Sequence, residues 1–431
     1  MIHPIEFRYG SARMRRIFER EARLDYMLRV EAAVAHAHAT LGHIPEEAAR
    51  EIGEKANTKV VTLARWDELE AQTHHDIVSL AEALSEKCRY GGYVHLGVTS
   101  NDINDTATAL QLADAVDIAL DNLGVLAEKL KKLALEKIDL VCIGRTHGQH
   151  AIPTTYGMKC ALFYSEVKRD ITRLKAARGN IAGKISGAVG TFASLENGLE
   201  LQDLVSKSLE VPMADITNQV VQRDNHAELI CTLALIASTL DKIATEIRNL
   251  SRSEIAEVSE GFGERQVGSS TMPHKKNPLN AERVCGLARI IYSHVYPSLL
   301  NNVLWHERDL TNSSAERVIF PECFILLDEM LISMISLLDG LVFYPENIEA
   351  NLRRNKNVMA ESVMMALARK GMDRQVAHRL LRSLSKEGDF EKSVRENSEV
   401  RRYLSEREIA SALDPIAYLG EARQIVKKVC R

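Results

Sequence analysis

The chain has 431 residues, of which 45% are hydrophobic and 26% charged, and its formal net charge is −4. That length allows roughly two or three domains, the composition buries a large core and excludes a disordered chain, and an acidic balance without a basic footprint argues against a nucleic-acid binder. Seven cysteines, odd in number and with no CxxC pair, suit reduced thiols in a cytoplasm.

The opening stretch MIHPIEFRYGSARMRRIF is charged and broken, unlike the basic stub and apolar run of a signal peptide. Residues 57–61 and 90–93 interrupt N-terminal helices. After a polar stretch at 95–105, HLGVTSNDIND, in which Ser100-Asn101-Asp102 is an N-cap candidate, Leu112, Val116, Ala119, Leu123, Leu126, Leu130 and Leu133 recur three and four apart. That spacing predicts a long helix with an apolar seam. The apolar run 140–143 competes as a strand, leaving room for a minor hairpin, and a second polar stretch, GRTHGQHAIPTT, follows at 144–155.

A helix is predicted over about 153–178, and another seam runs through Leu229, Leu233, Ile236, Leu240, Ile243, Ile247 and Leu250, within a stretch from 213 to 260 that holds neither Gly nor Pro. Further helices are predicted over 279–294 and 314–341. The longest apolar stretch, 323–343, carries Asp328, Glu329 and Asp339, which makes it a buried helix and not a membrane span. A Pro345-Glu346-Asn347 turn then separates a helical tail. The expected fold is all-α, a long-helix bundle with smaller helical terminal domains, divided at 1–99, 100–347 and 348–431. Seams this long are not all buried within one chain, so an oligomer is expected.

A third polar stretch, GSSTMPHKKNP at 268–278, is the most informative. Gly261, Gly263 and Gly268 admit positive φ, Pro273 and Pro278 forbid regular helix, and Ser269, Ser270, His274, Lys275, Lys276 and Asn277 lie among them. Such a loop suits an anion. In all of these stretches small hydroxyls and glycine sit beside histidine, as the lining of a substrate cavity requires.

The GSSxMP-x-KxNP string resembles the signature of the fumarase/aspartase superfamily of lyases. The other two stretches correspond in order to regions that build active sites there, each from a different subunit of a homotetramer. Arg8-Tyr9, His74-His75-Asp76, the run LWHERDLTNSSAER at 304–317 and His274 in MPHK together look like the adenylosuccinate lyase family within it. Argininosuccinate lyases usually carry Gln, and fumarases and aspartases Gly, where His274 stands; carboxymuconate cycloisomerases share MPHK but lack the WHERD and SSAER block. The resemblance is dense from Arg8 to Arg317 and weak after Pro345. One departure is Thr311-Asn312, where Ser-His is common before SSAER.

The resemblance implies elimination of fumarate from two succinyl ribotides, adenylosuccinate and the succinyl-aminoimidazole carboxamide ribotide, with no cofactor and no metal. Removing a proton next to a carboxylate builds an enolate-like dianion, which fixed positive charge stabilises; Lys275 and Asn277 match that role. Ser269 matches the proton-abstracting residue. Because a free hydroxyl is a weak base, it depends on oriented donors and nearby Lys275. His147 matches the general acid for the departing nitrogen. His75 matches its partner, with Asp76 at the polar edge; His74 is placed on the binding side without a catalytic role. Arg8, Tyr9, Arg308, Ser313 and Arg317 match phosphate-side positions. Thr99, Ser100, Thr146 and Gln219 match succinyl- and base-side contacts, and Glu282 an orienting group. His95 either shapes the pocket or is structural.

Bland alternatives stand beside these. An isolated His147 reads as a satisfied buried histidine, and Arg308 between Glu307 and Asp309 as a surface ion-pair cluster. Paired histidines hint at a metal, yet no carboxylate or thiol stands at a familiar ligand spacing. A non-catalytic structural relative is the rival from another class, and fumarate release separates the two.

Overall fold

The computed structural model describes residues 3–261, 272 and 274–431. Ser269, expected in the site, and its neighbour Ser270 lie outside the described residues.

The fold is all-α. Its long helices are Ser100–Glu136, Tyr156–Gly179, Asp224–Leu250, Leu279–Leu300 and Thr311–Asp339. The longest, with 37 residues, extends about 55 Å at ~1.5 Å per residue. Among the described residues, strands are confined to two antiparallel pairs, β1 (Val141–Thr146) with β2 (Gln149–Thr155) and β3 (Val258–Ser259) with β4 (Val342–Phe343). No described helix is long and apolar enough to cross a membrane. Two compact units emerge, one from residues 1–124, 169–241 and 283–333, the other from 125–168, 242–282 and 334–431.

The seams form as their spacing predicts. Leu229, Leu233, Ile236 and Leu240 are buried in the first unit, and Ile243, Ile247 and Leu250 in the second. Leu112, Val116, Ala119, Leu123, Leu126 and Leu130 are buried as well, whereas Leu133 is only partly so. In the second unit, helices Ala360–Arg369, Arg374–Leu384 and Phe390–Glu396 gather Val363, Leu367, Leu381, Phe390 and Val394 into a separate C-terminal core.

Several local expectations give way to tertiary context. The helix predicted from 153 starts at Tyr156, because Pro153 belongs to β2 opposite Ile143. The 279 helix continues through Pro297 to Leu300. Pro345, expected in a turn, is the first residue of the Pro345–Arg354 helix, a position where its missing N–H costs nothing and its fixed φ suits the helix.

Candidate active site

The first unit holds a cavity of about 990 Å³, and its walls are built from helix ends. The Leu63–Thr73 helix stops at His74, whose backbone is left-handed with φ 55°, and the Asp76–Ser85 helix begins with His75 as its cap. In capping, His75 Nδ1 accepts the Val78 N–H at 3.4 Å. Its Nε2 stands 3.4 Å from the Ser100 hydroxyl. A helix start thus fixes the place of a cavity histidine.

Ser100 opens the Ser100–Glu136 helix, and the cap is Thr99, one residue before the expected triplet: its N–H donates to Asp102 Oδ2 at 2.8 Å. Asp102 also accepts the Ser186 N–H at 2.9 Å and the Gly187 N–H at 3.1 Å, and pairs with Lys184; both side chains are fully buried. These donors hold the segment that presents Thr99 and Ser100 to the cavity.

Arg308 enters the cavity wall with neutral acceptors around it. Its guanidinium donates to Asn101 Oδ1, to Gln219 Oε1 at 3.2 Å and to the Ser313 hydroxyl at 3.2 Å. The Asp309 carboxylate is occupied by the Trp305 and Thr311 N–H groups, at 2.7 and 2.8 Å, so the ion-pair reading of this segment does not describe it. Burial, joined by the nearby Arg223 charge and opposed by Asp105, holds Arg308 below the ordinary guanidinium value. Arg317 lies at the rim, largely exposed, 3.5 Å from Asp76 Oδ2.

Beneath them runs a buried charged network that the sequence reading missed. Arg223 grips Asp105 with two bonds, 2.8 and 2.9 Å, and donates to Glu316 Oε1 at 2.9 Å. Burial alone would raise both carboxyls; Arg223 outweighs it at Asp105, and His226 with Arg223 at Glu316, so both lie below the usual range. Arg23 is a further cation in the wall, bonded to the Thr108 hydroxyl at 2.9 Å and Asn104 Oδ1 at 2.7 Å, and burial pulls it down to about 10. Asp105 and Glu316 had a signal, lying inside the HLGVTSNDIND and SSAER strings, whereas Arg223 and Arg23 had none.

His147 belongs to the second unit. With Gly148 it forms the tip of the β1–β2 hairpin, at φ 53° and 74°, the paired positive φ values of a tight I′-like turn. Its side chain is exposed, as is that of Thr146. The 144–155 stretch is therefore mostly a hairpin lying between the Ser100–Glu136 and Tyr156–Gly179 helices, the minor hairpin for which the apolar run at 140–143 left room. Lys275 is exposed, its N–H on the Met272 carbonyl at 3.1 Å; the Asn277 carbonyl accepts the Leu279 N–H at 2.9 Å, and Glu282 is exposed in the first turn of the Leu279–Leu300 helix.

The cavity lining thus brings together His74, His75, Asp76, Thr99, Ser100, Gln219, Arg308, Ser313 and Arg317. Thr146, His147, Lys275, Asn277 and Glu282 belong to the other unit and are not in that lining. Nor are Arg8 and Tyr9, although the Arg8 guanidinium lies over the Tyr9 ring at 5.9 Å. His95, left-handed at φ 61°, turns to Glu31, with Nδ1 2.7 Å from its carboxylate. Burial opposes the protonated ring, but the bond and charge of Glu31 prevail and raise it.

Comparison with known proteins follows the same pattern. Residues 6–292 match the family described as Lyase, and residues 357–429 match Adenylosuccinate lyase C-terminus. The chain is 57% identical to adenylosuccinate lyase of Pyrococcus abyssi, covering 99% of this chain and 97% of that one. It is 52% identical to that of Methanothermobacter thermautotrophicus, with coverages of 99% and 98%. Among solved structures, a fumarate lyase from Mesorhizobium sp. BNC1 superposes with a TM-score of 0.89 at 30% identity, covering 98% of each chain. The 3-carboxy-cis,cis-muconate lactonizing enzyme of Pseudomonas putida also gives 0.89 at 30%, covering 99% of this chain and 98% of that one. The fold is common to more than one reaction, but both of these full-length sequence relatives carry one name, and the chain belongs to the adenylosuccinate lyase family.

Proposed function

We propose that this lyase eliminates fumarate from adenylosuccinate, giving AMP, and from the succinyl-aminoimidazole carboxamide ribotide, giving the free carboxamide ribotide. The observation that carries the reading is the cavity wall in which His75, Ser100, Arg308, Ser313 and Arg317 stand together. Its guanidinium groups suit phosphate and carboxylate, and its hydroxyls suit the remaining polar edge of a succinyl ribotide.

In the proposed reaction Ser269 removes a proton from the carbon beside a succinyl carboxylate. Lys275 and Asn277 stabilise the enolate-like charge that develops. The electron pair of the broken C–H bond becomes the new C=C bond, the carbon–nitrogen pair leaves on nitrogen, and His147 protonates that nitrogen. His75 supports the acid and orients substrate. Arg8 and Tyr9 join the phosphate side, Thr146 the polar contacts, and Glu282 orients the lysine-bearing segment. An exposed acid on a hairpin tip suits a site completed by a neighbouring copy, so a homotetramer with shared sites belongs to the proposal, as does a cytoplasmic setting for thiols that are all free among the described residues.

Purified protein is expected to release fumarate from both ribotides without added metal or cofactor. Inertness toward both, in folded protein, overturns the proposal; activity lost on thorough chelation and regained with a metal overturns its cofactor-free form.

A further inference from the structure

Two carboxylates of the second unit lie three residues apart and take no part in the mechanism above. Glu257 is fully buried. Its Oε1 accepts from Arg145 and, at 2.9 Å, from Asn351 Nδ2, and its Oε2 accepts the Tyr156 hydroxyl at 2.5 Å. Arg145 lies in β1, opposite His150, one step before the pair Thr146–Gln149 that closes on His147-Gly148. Tyr156 follows β2 directly. Glu257 therefore grips both legs of the hairpin that carries His147, with Asn351 of the Pro345–Arg354 helix donating to the same oxygen as Arg145.

Glu260, also buried, turns to a different segment. One of its oxygens accepts the Ala281 N–H at 2.8 Å, and the other accepts both the Asn280 N–H and the Asn280 side-chain amide at 3.1 Å. These are open donors at the start of the Leu279–Leu300 helix, where a carboxylate is favoured both as a bond acceptor and by the helix dipole. Lys275 and Asn277 stand immediately before that start. Between the two carboxylates, β3 pairs with β4, and Gly261 lies so close to Gly340 that an added Cβ would come within 2.5 Å of its carbonyl oxygen. The carrier of both grips is itself fixed.

We infer that Glu257 and Glu260 are positioning residues that set, from the two ends of one short strand, the hairpin of His147 and the segment of Lys275 and Asn277. The inference rests on the roles proposed for those residues. A displacement of about 1 Å at a reacting group costs on the order of 10²-fold in rate, which gives two buried carboxylates a catalytic effect without substrate contact. Each grip acts on a different bond: Glu257 on protonation of the leaving nitrogen, Glu260 on stabilisation of the carbanion.

The test compares Glu257→Gln and Glu260→Gln, using adenylosuccinate carrying deuterium on the carbon that loses its proton. In Glu260→Gln the amide N–H₂ faces an N–H donor whichever way it turns, and in Glu257→Gln the Arg145 guanidinium loses the carboxylate charge that held it. In both variants kcat is expected to fall by about 10²-fold with KM near the wild-type value. The deuterium effect on kcat is expected to move oppositely: toward unity in Glu257→Gln, with exchange of the substrate proton into solvent, because nitrogen departure becomes slow; upward in Glu260→Gln, because proton removal becomes slow. Equal isotope effects in the two variants, or near-normal turnover in both, overturn the inference. If Glu257→Gln does not fold because Arg145 is left as an uncompensated charge, the double variant Arg145→Gln/Glu257→Gln removes that charge and is expected to fold and show the same lowered isotope effect. Wild-type protein in the same assay separates the premises: without wild-type fumarate release the functional reading fails and the inference falls with it, whereas wild-type release without a split between variants sinks the inference alone.

Discussion

Arg308 illustrates how a charge is held ready for a ligand. The acceptors around it are amide, hydroxyl and carbonyl oxygens, so no carboxylate among the described residues neutralises it through a direct bond. Arg308→Leu is expected to raise KM roughly 10- to 100-fold with little change in kcat, the equivalent of about 1.5–3 kcal/mol for a hydrogen bond to a charged group. Steady-state kinetics decide this, and a fall confined to kcat contradicts a ground-state role. Ser269 and His147 are expected to separate differently. Ser269→Ala should abolish turnover while binding survives, and His147→Gln should slow the chemical step by about 10²–10⁴-fold yet partly recover on a substrate whose leaving group needs no proton. Equal recovery by both variants refutes that assignment of acid and base. His95 gives a pH-dependent counterpart. Since Glu31 raises it above its ordinary 6.5 in the folded state, its stabilising contribution is complete below about pH 6 and fades as pH climbs through the raised value. Unfolding free energies of wild type and His95→Gln should therefore differ most at acid pH and converge above neutrality; a gap that widens with pH contradicts the pairing.

At the scale of elements, the legible parts were those with one period and one buried face. The seam from Leu229 to Leu250 repeats three and four apart and is buried throughout, so the Asp224–Leu250 helix could be read from spacing alone. The β1–β2 hairpin was legible only as the room that the apolar run at 140–143 left for it. Its strands carry Arg145, Gln149 and His150, and its turn uses His147 in left-handed backbone, a conformation for which a non-glycine residue gives no sequence signal. Elsewhere glycine does the same work openly. Gly190 adopts φ +81°, and an added Cβ would lie 2.0 Å from the Thr217 carbonyl oxygen. Gly190→Ala is thus expected to destabilise the fold by about 1–3 kcal/mol and, by shifting the backbone that leads into Gln219, to raise KM as well. Urea unfolding with parallel kinetics tests both halves; unchanged stability contradicts the steric account.

For the whole molecule, what stayed hidden in the sequence is pairing over long separations. Arg223 bonds Asp105 across 118 positions and Glu316 across 93, and no local pattern in HLGVTSNDIND or SSAER names that partner. Lys184 and Asp102, 82 positions apart and both fully buried, were equally silent, although removing one member of such a pair costs about 3–5 kcal/mol. Of the motif residues, His75, Ser100, Gln219, Arg308, Ser313 and Arg317 line one cavity, whereas Thr146, His147, Lys275, Asn277 and Glu282 belong to the other unit. His147 is exposed on its hairpin tip, so a site assembled from several copies predicts that two inactive proteins repair each other. Ser269→Ala and His147→Ala variants, mixed under conditions where subunits exchange, are expected to regain part of the activity, because some hybrid sites then receive an intact serine from one chain and an intact histidine from another. Exchange is followed independently by mass-tagged subunits. If hybrids form and fumarate release stays at the level of the separate variants, both residues of a site come from one chain, and the shared-site proposal is wrong even though the cavity chemistry stands.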